Sequence, residues 1–283
     1  MTYVKPGQVM ENMIDAGESK AQLSIKDMLI RGVIAGALLG FGTTLAFTTE
    51  VQSGLGVLGA LLFPACFVMV ILLGLELLTG NFAFIPLAVL EKRVSVGEML
   101  NNWFWVMIGH LIGGAFYAFL YTIALSQLGH VTDNAVAEKL IAVSEAKTLG
   151  YASLGSEGLI VVFVKAMLCN WMVTLGAVLA FVSTSTIGKM AAMWLPILIF
   201  FAQGFEHAVV NMFVIPAGMM LGADVTIADW WMWNQVPVLL GNLVSGVVFT
   251  GLALYFTHHK VETRILKMPK NESRIPNTKR GQA

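Results

Sequence analysis

The chain has 283 residues, of which 57% are hydrophobic and only 12% charged, with a mean hydropathy of +0.77 and a formal net charge of zero. Soluble domains carry about 25% charged residues, so this composition excludes a soluble globular protein and points to a polytopic membrane protein. A net charge of zero gives no reason to expect a nucleic acid as partner, and the two cysteines, Cys66 and Cys169, fall in apolar runs that suit small buried hydrophobes rather than a disulfide framework.

Residues 1–24 contain Glu11, Asp15 and Glu18 and no apolar core, so they do not read as a signal peptide. Residues 7–24 pattern as a short amphipathic helix, with Val9, Met13, Ala16 and Leu23 on one side, expected to lie on the membrane surface. Six apolar regions follow, at about 28–49, 55–90, 100–127, 157–186, 190–222 and 235–257. A simple span needs about 20 residues. The second and fifth regions are longer than that and are interrupted by Gly and Pro, which predicts broken helices whose irregular backbone is enclosed by protein or by a water-filled cavity.

Each long region holds one copy of a repeat. Gly74-Leu75-Glu76-Leu77-Leu78-Thr79-Gly80-Asn81 runs on to Ile85-Pro86, and Gly204-Phe205-Glu206-His207-Ala208-Val209-Val210-Asn211 runs on to Ile215-Pro216. Gly, Glu, Asn, Ile and Pro recur at identical spacing, 130 positions apart. The repeat continues in Gly109-His110-Leu111 of the third region and Gly241-Asn242-Leu243 of the sixth. Each half therefore has three spans, and an odd number sends the halves through the membrane in opposite directions, with their breaks facing one pathway near the midplane. The fold class is an all-α membrane protein of six transmembrane helices in two inverted three-helix repeats, about 28–127 and 157–257, with helices two and five broken.

Lys and Arg concentrate on one side if both ends are cytoplasmic. Lys5, Lys20, Lys26, Arg31, Lys92, Arg93, Lys189 and the tail from Lys260 to Arg280 then lie inside, whereas Lys139 and Lys147 lie outside. Trp230, Trp231 and Trp233 suit the outer interfacial belt. The chain divides into a cytoplasmic amphipathic helix (1–27), a transmembrane channel domain (28–259) and a cytoplasmic basic tail (260–283) in a multi-pass protein of the cell membrane. Gly32, Gly36 and Gly40 recur every four residues, as do Gly109 and Gly113, spacing that lets helices pack closely within one chain or between chains.

Polar groups inside apolar regions are costly unless paired or used. His207 adjoins Glu206 at a predicted break and has only Leu77 at its place in the other half, so it is the sharpest candidate for a pathway residue. Thr79, matched by Val209, also occurs once and can cap a half-helix or hydrogen-bond the histidine or a permeant. Glu76, Glu206, Asn81 and Asn211 occur in both halves and read as structural, each glutamate accepting backbone N–H groups where its helix breaks. Asn170 can join helices or face the pore, Lys165 can snorkel outward or face the outer vestibule, and His110 reads as a packing partner. Gly54-Leu55-Gly56-Val57-Leu58-Gly59 matches a dinucleotide fingerprint but opens a membrane span with no βαβ unit around it. The sequence offers no P-loop, metal-ligand cluster or nucleophile–base pair, so no enzyme, metal or cofactor is expected. An aquaporin-type channel would carry Asn-Pro-Ala at each half-helix and an Arg filter, which this chain lacks.

With the two breaks, Glu206-His207 and Cys169-Asn170-Trp171 in view, the chain resembles the formate/nitrite transporter family over roughly 7–260. The resemblance implies an aquaporin-like protomer with its own pore, a homopentamer in a lipid bilayer, and passage of small monovalent anions or their weak acids, formate first and nitrite or hydrosulfide as alternatives. By matching position it implies His207 as the central pore histidine with Thr79 and Asn170 beside it, Phe63 and Phe200 as the outer constriction, and Phe67, Leu77, Leu78 and Val173 as the inner one. The family usually has Phe at Leu78 and a small residue at Leu75. Many members carry a vestibule lysine at the place of Leu154, leaving Lys147, after an insertion, or Lys165 to supply that charge. Between apolar rings a bare anion bears a large desolvation cost and the neutral acid far less, so proton-coupled transport is expected.

Overall fold

A computed structural model describes residues 2–259; the basic tail 260–283 lies outside the described residues. The described chain is helical, with one isolated bridge between Tyr3 and Ser183. Four helices are long and apolar enough to cross a membrane: α2 (Ile25–Ser53), α6 (Val96–Ser126), α9 (Ser156–Leu179) and α12 (Ile227–His258). The remaining apolar length is split into shorter pieces. α3 (Gly56–Leu62) and α4 (Pro64–Leu72) precede α5 (Leu78–Leu90), and α10 (Thr186–Ala202) precedes α11 (Ala208–Leu221). The two interruptions thus fall within the repeated motif.

The motif's glycine explains the interruption. Gly74 and Gly204 adopt φ of +62° and +63°, a left-handed conformation that ends a helix cheaply only in glycine. The next N–H folds back in both copies, from Leu75 to the Val70 carbonyl (3.0 Å) and from Phe205 to the Phe200 carbonyl (3.2 Å). Two residues later Leu77 and His207 are extended, as helix-starting residues are, and α5 and α11 begin.

α2 and α6 meet backbone to backbone along the glycines. A Cβ on Gly113 would lie 2.0 Å from the Val33 carbonyl oxygen and one on Gly36 would lie 2.8 Å from that of His110. The every-fourth-residue spacing therefore serves packing within the chain.

The amphipathic helix α1 (Pro6–Ala21) differs from the surface helix expected: its apolar side is taken up by protein. Val9, Met10, Met13, Ile14, Gly17 and Ala21 are buried, and Gly17 sits against the main chain of α5 at Phe84. The loop between α6 and α9 holds an element that hydropathy did not signal. α7 (Ala135–Lys147), followed by the short turn α8 (Leu149–Ala152), packs on α11 as α1 packs on α5. At the contact Ser144 stands where α1 has Gly17, and its hydroxyl donates to the Ile215 carbonyl (3.4 Å). The repeat unit is thus a capping helix plus its spans, α1–α6 followed by α7–α12.

A Cβ on Gly17 would lie 2.3 Å from the Phe84 carbonyl oxygen, whereas one on Gly7 has its nearest neighbour at 3.8 Å. Gly17→Ala is expected to push α1 off α5 and to cost about 1–3 kcal/mol. Thermal unfolding in detergent, with protease sensitivity of α1 as the local readout, should show the loss, and Gly7→Ala should not.

Candidate functional site

Breaking a helix at membrane depth orphans backbone groups that no water can reach, at several kcal/mol each. The first N–H of each second half-helix is met by a side chain from the adjacent long span. His110 Nε2 on α6 accepts from Leu78 N (3.1 Å), and Asn242 Oδ1 on α12 accepts from Ala208 N (3.0 Å). The Nδ1 of His110 lies 2.9 Å from the Gly32 carbonyl, so that nitrogen carries the proton; Asn242 Nδ2 correspondingly donates to the Ala166 carbonyl (2.8 Å). The glutamates expected to accept these N–H groups do not. That role belongs to His110 and Asn242, the residues aligned in the outlying part of the repeat.

Glu76 and Glu206 are instead the acceptors of two matching side-chain clusters. Lys20 Nζ lies 2.7 Å from Glu76, which also accepts from Asn81 (2.7 Å) and Asn102 (3.3 Å). Lys147 Nζ lies 2.8 Å from Glu206, which accepts from Asn211 (2.8 Å) and Asn234 (3.3 Å). In each cluster the two asparagines are bonded to one another at 2.8 Å, and the second donates to the carbonyl of the lysine, at 2.9 Å. α1 and α7 are therefore fastened at their last turns to the carboxylates of the breaks. Removing one partner would leave an unpaired buried charge, worth about 3–5 kcal/mol. The clusters differ in one donor: the Tyr151 hydroxyl, from α8, donates to Glu206 Oε1 (2.7 Å).

The halves meet at His207. Its Nδ1 accepts from Val210 N (3.2 Å), making it the helix-starting cap of α11, and its Nε2 lies 2.9 Å from Thr79 Oγ1. With Nδ1 occupied as acceptor, Nε2 carries the proton of the neutral ring and donates to the hydroxyl. The equivalent pair across the repeat is Leu77 and Val209, both buried, so the centre is polar on one side and apolar on the other. Asn170 is also at the centre. Its amide donates to the Thr79 carbonyl (3.1 Å) and the Asn242 carbonyl (2.6 Å), joining α9 to α5 and α12.

A cavity of about 380 Å³ opens on the α7 face and reaches His207. It is lined by Lys139, Lys147, Lys165, Tyr151, Glu206 and Phe200 among others. Lys165 faces this cavity rather than snorkelling to the lipid boundary, with Nζ 5.5 Å from the centre of the Tyr151 ring. Leu154 is exposed, and Lys147, seven positions earlier, supplies a cation at the cavity. A second cavity of about 210 Å³ opens on the α1 face, lined by Lys20, Lys189, Gly74, Leu75, Phe84 and Phe181 among others.

The aromatic and aliphatic candidates are all buried. Phe200 meets Phe63 edge-on (centroids 5.7 Å) and lies 5.8 Å from the His207 ring. Phe63, Phe67, Leu77, Val173 and Phe200 share one apolar cluster. Leu78, the next residue after Leu77, belongs to a neighbouring buried cluster with Met28, Phe82 and Val106. Lys20, Tyr151, Asn102 and Asn234 were not singled out from sequence. The paired asparagines could have been found by extending the repeat, but Tyr151 has no counterpart that would have marked it.

Residues 7–256 match the family model described as formate/nitrite transporter. The chain is 33% identical over 266 residues to the formate channel BtFdhC of Bacillus thuringiensis, covering 92% of this chain and 98% of that one. Among solved structures it is similar to an FNT family ion channel at 29% identity and a TM-score of 0.75, over 88% of this chain and 98% of the other. It is also similar in fold to a pentameric formate channel with formate bound, at 24% identity and a TM-score of 0.66, over 82% and 97% of the two chains. The twin breaks, their capping side chains and the matched length have one reading in common: the chain belongs to the formate/nitrite transporter family, a family of membrane transporters and channels rather than enzymes.

Proposed function

We propose that this protein carries formate across the cell membrane as anion plus proton, through a pore in each protomer that passes His207. One observation carries the reading. A cation-lined cavity ends at a neutral imidazole whose Nε2–H is already engaged by Thr79, with buried apolar side chains beyond it. Lysines favour an anion in the cavity, and the N-terminal ends of α5 and α11 add partial positive charge. The apolar packing beyond opposes any bare charge. Formate has a pKa of about 4, close to that of a side-chain carboxylate, and falling dielectric raises it. The anion therefore gains a proton before entering the apolar stretch, and the neutral acid crosses. Phe63 and Phe200 narrow the route on the α7 side, and Phe67, Leu77, Leu78 and Val173 on the α1 side. Asn170 holds Thr79 in place, and Glu76, Glu206, Asn81 and Asn211 hold the breaks.

In this reading the α1 face is cytoplasmic, so residues 1–27 form a capping helix inside the cell, 28–259 the channel domain and 260–283 a basic tail. The protomers assemble as a homopentamer, in keeping with the pentameric channel of similar fold. Nitrite and hydrosulfide have the same small size and single charge and are the competing permeants.

Two measurements test the proposal in proteoliposomes. His207→Phe, checked for retained assembly by size exclusion, should lower formate uptake by more than about tenfold, equivalent to ~1.4 kcal/mol; wild-type flux in that variant removes His207 from the pathway. A dye trapped inside should report acidification as formate enters, because the neutral acid releases its proton on arrival. Uptake should quicken as external pH falls towards the formate pKa, whereas an interior that stays at constant pH during uptake would mean that the bare anion crosses.

A further inference from the structure

Asn242, on α12, is fully buried, and its side-chain amide is engaged around a single residue. Its Oδ1 accepts from Ala208 N (3.0 Å), and its Nδ2 donates to the Glu206 carbonyl (3.0 Å) and to the Ala166 carbonyl of α9 (2.8 Å). Glu206 and Ala208 flank His207, so one amide grips the peptide groups on both sides of the central histidine. Both of its N–H donors and its oxygen are in use.

The same residue reaches Thr79 through its main chain. The Asn242 carbonyl accepts from Asn170 Nδ2 (2.6 Å), which also donates to the Thr79 carbonyl (3.1 Å). A glycine allows this approach: a Cβ on Gly246 would lie 3.0 Å from Asn170 Nδ2 and 2.8 Å from the Phe82 Cβ. Gly246 belongs to the stretch Ser245–Leu252, which is wound as a π-helix, a form met mostly at functional sites. Thr250 in that stretch lies 2.6 Å from the Thr174 hydroxyl, which donates to the Asn170 carbonyl (2.6 Å). α12 therefore fixes Asn170 from two points, and through it the residue that bonds His207.

The first half lacks this grip. His110 is the counterpart of Asn242, and a neutral imidazole offers one donor and one acceptor. The Gly32 carbonyl and Leu78 N take them, which leaves nothing for the peptide on the far side of Leu77. An apolar side chain in a packed core tolerates that. A ring that must present Nε2 to one hydroxyl does not, because hydrogen bonds weaken steeply as they lose alignment.

We propose that Asn242 is the positioning residue of the His207–Thr79 pair, holding a ring and a hydroxyl from opposite halves of the chain at bonding distance. Its effect on flux rests on the transport reading above; its effect on the ring does not.

Asn242→His copies the other half: it keeps an acceptor for Ala208 N and a donor for the Ala166 carbonyl, and has none for Glu206. Solid-state NMR on the full-length protein in lipid bilayers, with isotope-labelled histidine, reads the His207 Nε2–H resonance, identified by its loss in His207→Phe. In Asn242→His it should move upfield, towards its position in Thr79→Val, where the bonding partner is gone. Gly17→Ala, which weakens the fold elsewhere, should leave it in place. In proteoliposomes the maximal rate of formate uptake should fall about three- to tenfold, the contribution of one hydrogen bond, with KM unchanged because the cavity mouth is untouched. If Asn242→His does not assemble, Asn242→Asp, of equal size, keeps the acceptor for Ala208 and lacks both donors, and the same shift is expected. A wild-type resonance in the assembled variant overturns the positioning role. A shifted resonance with unchanged formate flux upholds that role and instead sinks the reading that formate passes His207.

Discussion

Two interrupted helices at membrane depth set the terms for the rest of the molecule. Each interruption frees backbone N–H and C=O groups where lipid offers no hydrogen bond, so the protein must supply every partner itself. Glycine at positive φ closes the first half-helix, and His110 or Asn242 meets the leading N–H of the second. A glutamate with its lysine and two asparagines ties the intervening residues to the capping helix and to the third span. The long spans, the glycine contacts between α2 and α6, and the placement of α1 and α7 can all be seen as means of bringing these partners within reach. Irregular backbone is tolerated here because it is enclosed, and beside the two breaks lie a cavity that reaches His207 and another lined by Gly74 and Leu75.

The two halves satisfy the same demands with nearly the same side chains, and they depart from one another where chemistry is required. The glutamate clusters match residue for residue apart from Tyr151. At the centre the departure is larger, since His207 and Thr79 have Leu77 and Val209 as their equivalents. A cap residue with an imidazole instead of an isobutyl group keeps the extended backbone that starts the half-helix and adds a ring with a donor at the end of a cavity.

The interruptions, the inverted arrangement and the central histidine were legible in the sequence because each leaves a local mark: a hydrophobic region too long for one span, a motif repeated at constant spacing, a titratable ring among apolar residues. Partners distant along the chain left no such mark. Lys147 meets Glu206 across 59 positions, and Lys20 meets Glu76 across 56. In sequence nothing ties either lysine to its glutamate. α7 was missed because its exposed and buried residues are poorly segregated, and α1 was placed on the membrane surface because an amphipathic face does not say whether lipid or protein will cover it. The donors to Glu76 and Glu206 are side chains and not the backbone N–H groups expected from sequence, because the leading N–H groups are met by His110 and Asn242, which come from other spans and leave no local mark beside the glutamates.

The lopsided middle of the molecule has a consequence for how it counts its cargo. A fully duplicated centre would carry two imidazole–hydroxyl pairs back to back, and a traveller could be passed from one ring to its twin. Replacing one pair with Leu77 and Val209 leaves a solitary stop. On the proposed route past His207, passengers are then handled singly, and the response to rising concentration is expected to follow a simple hyperbola rather than a sigmoid.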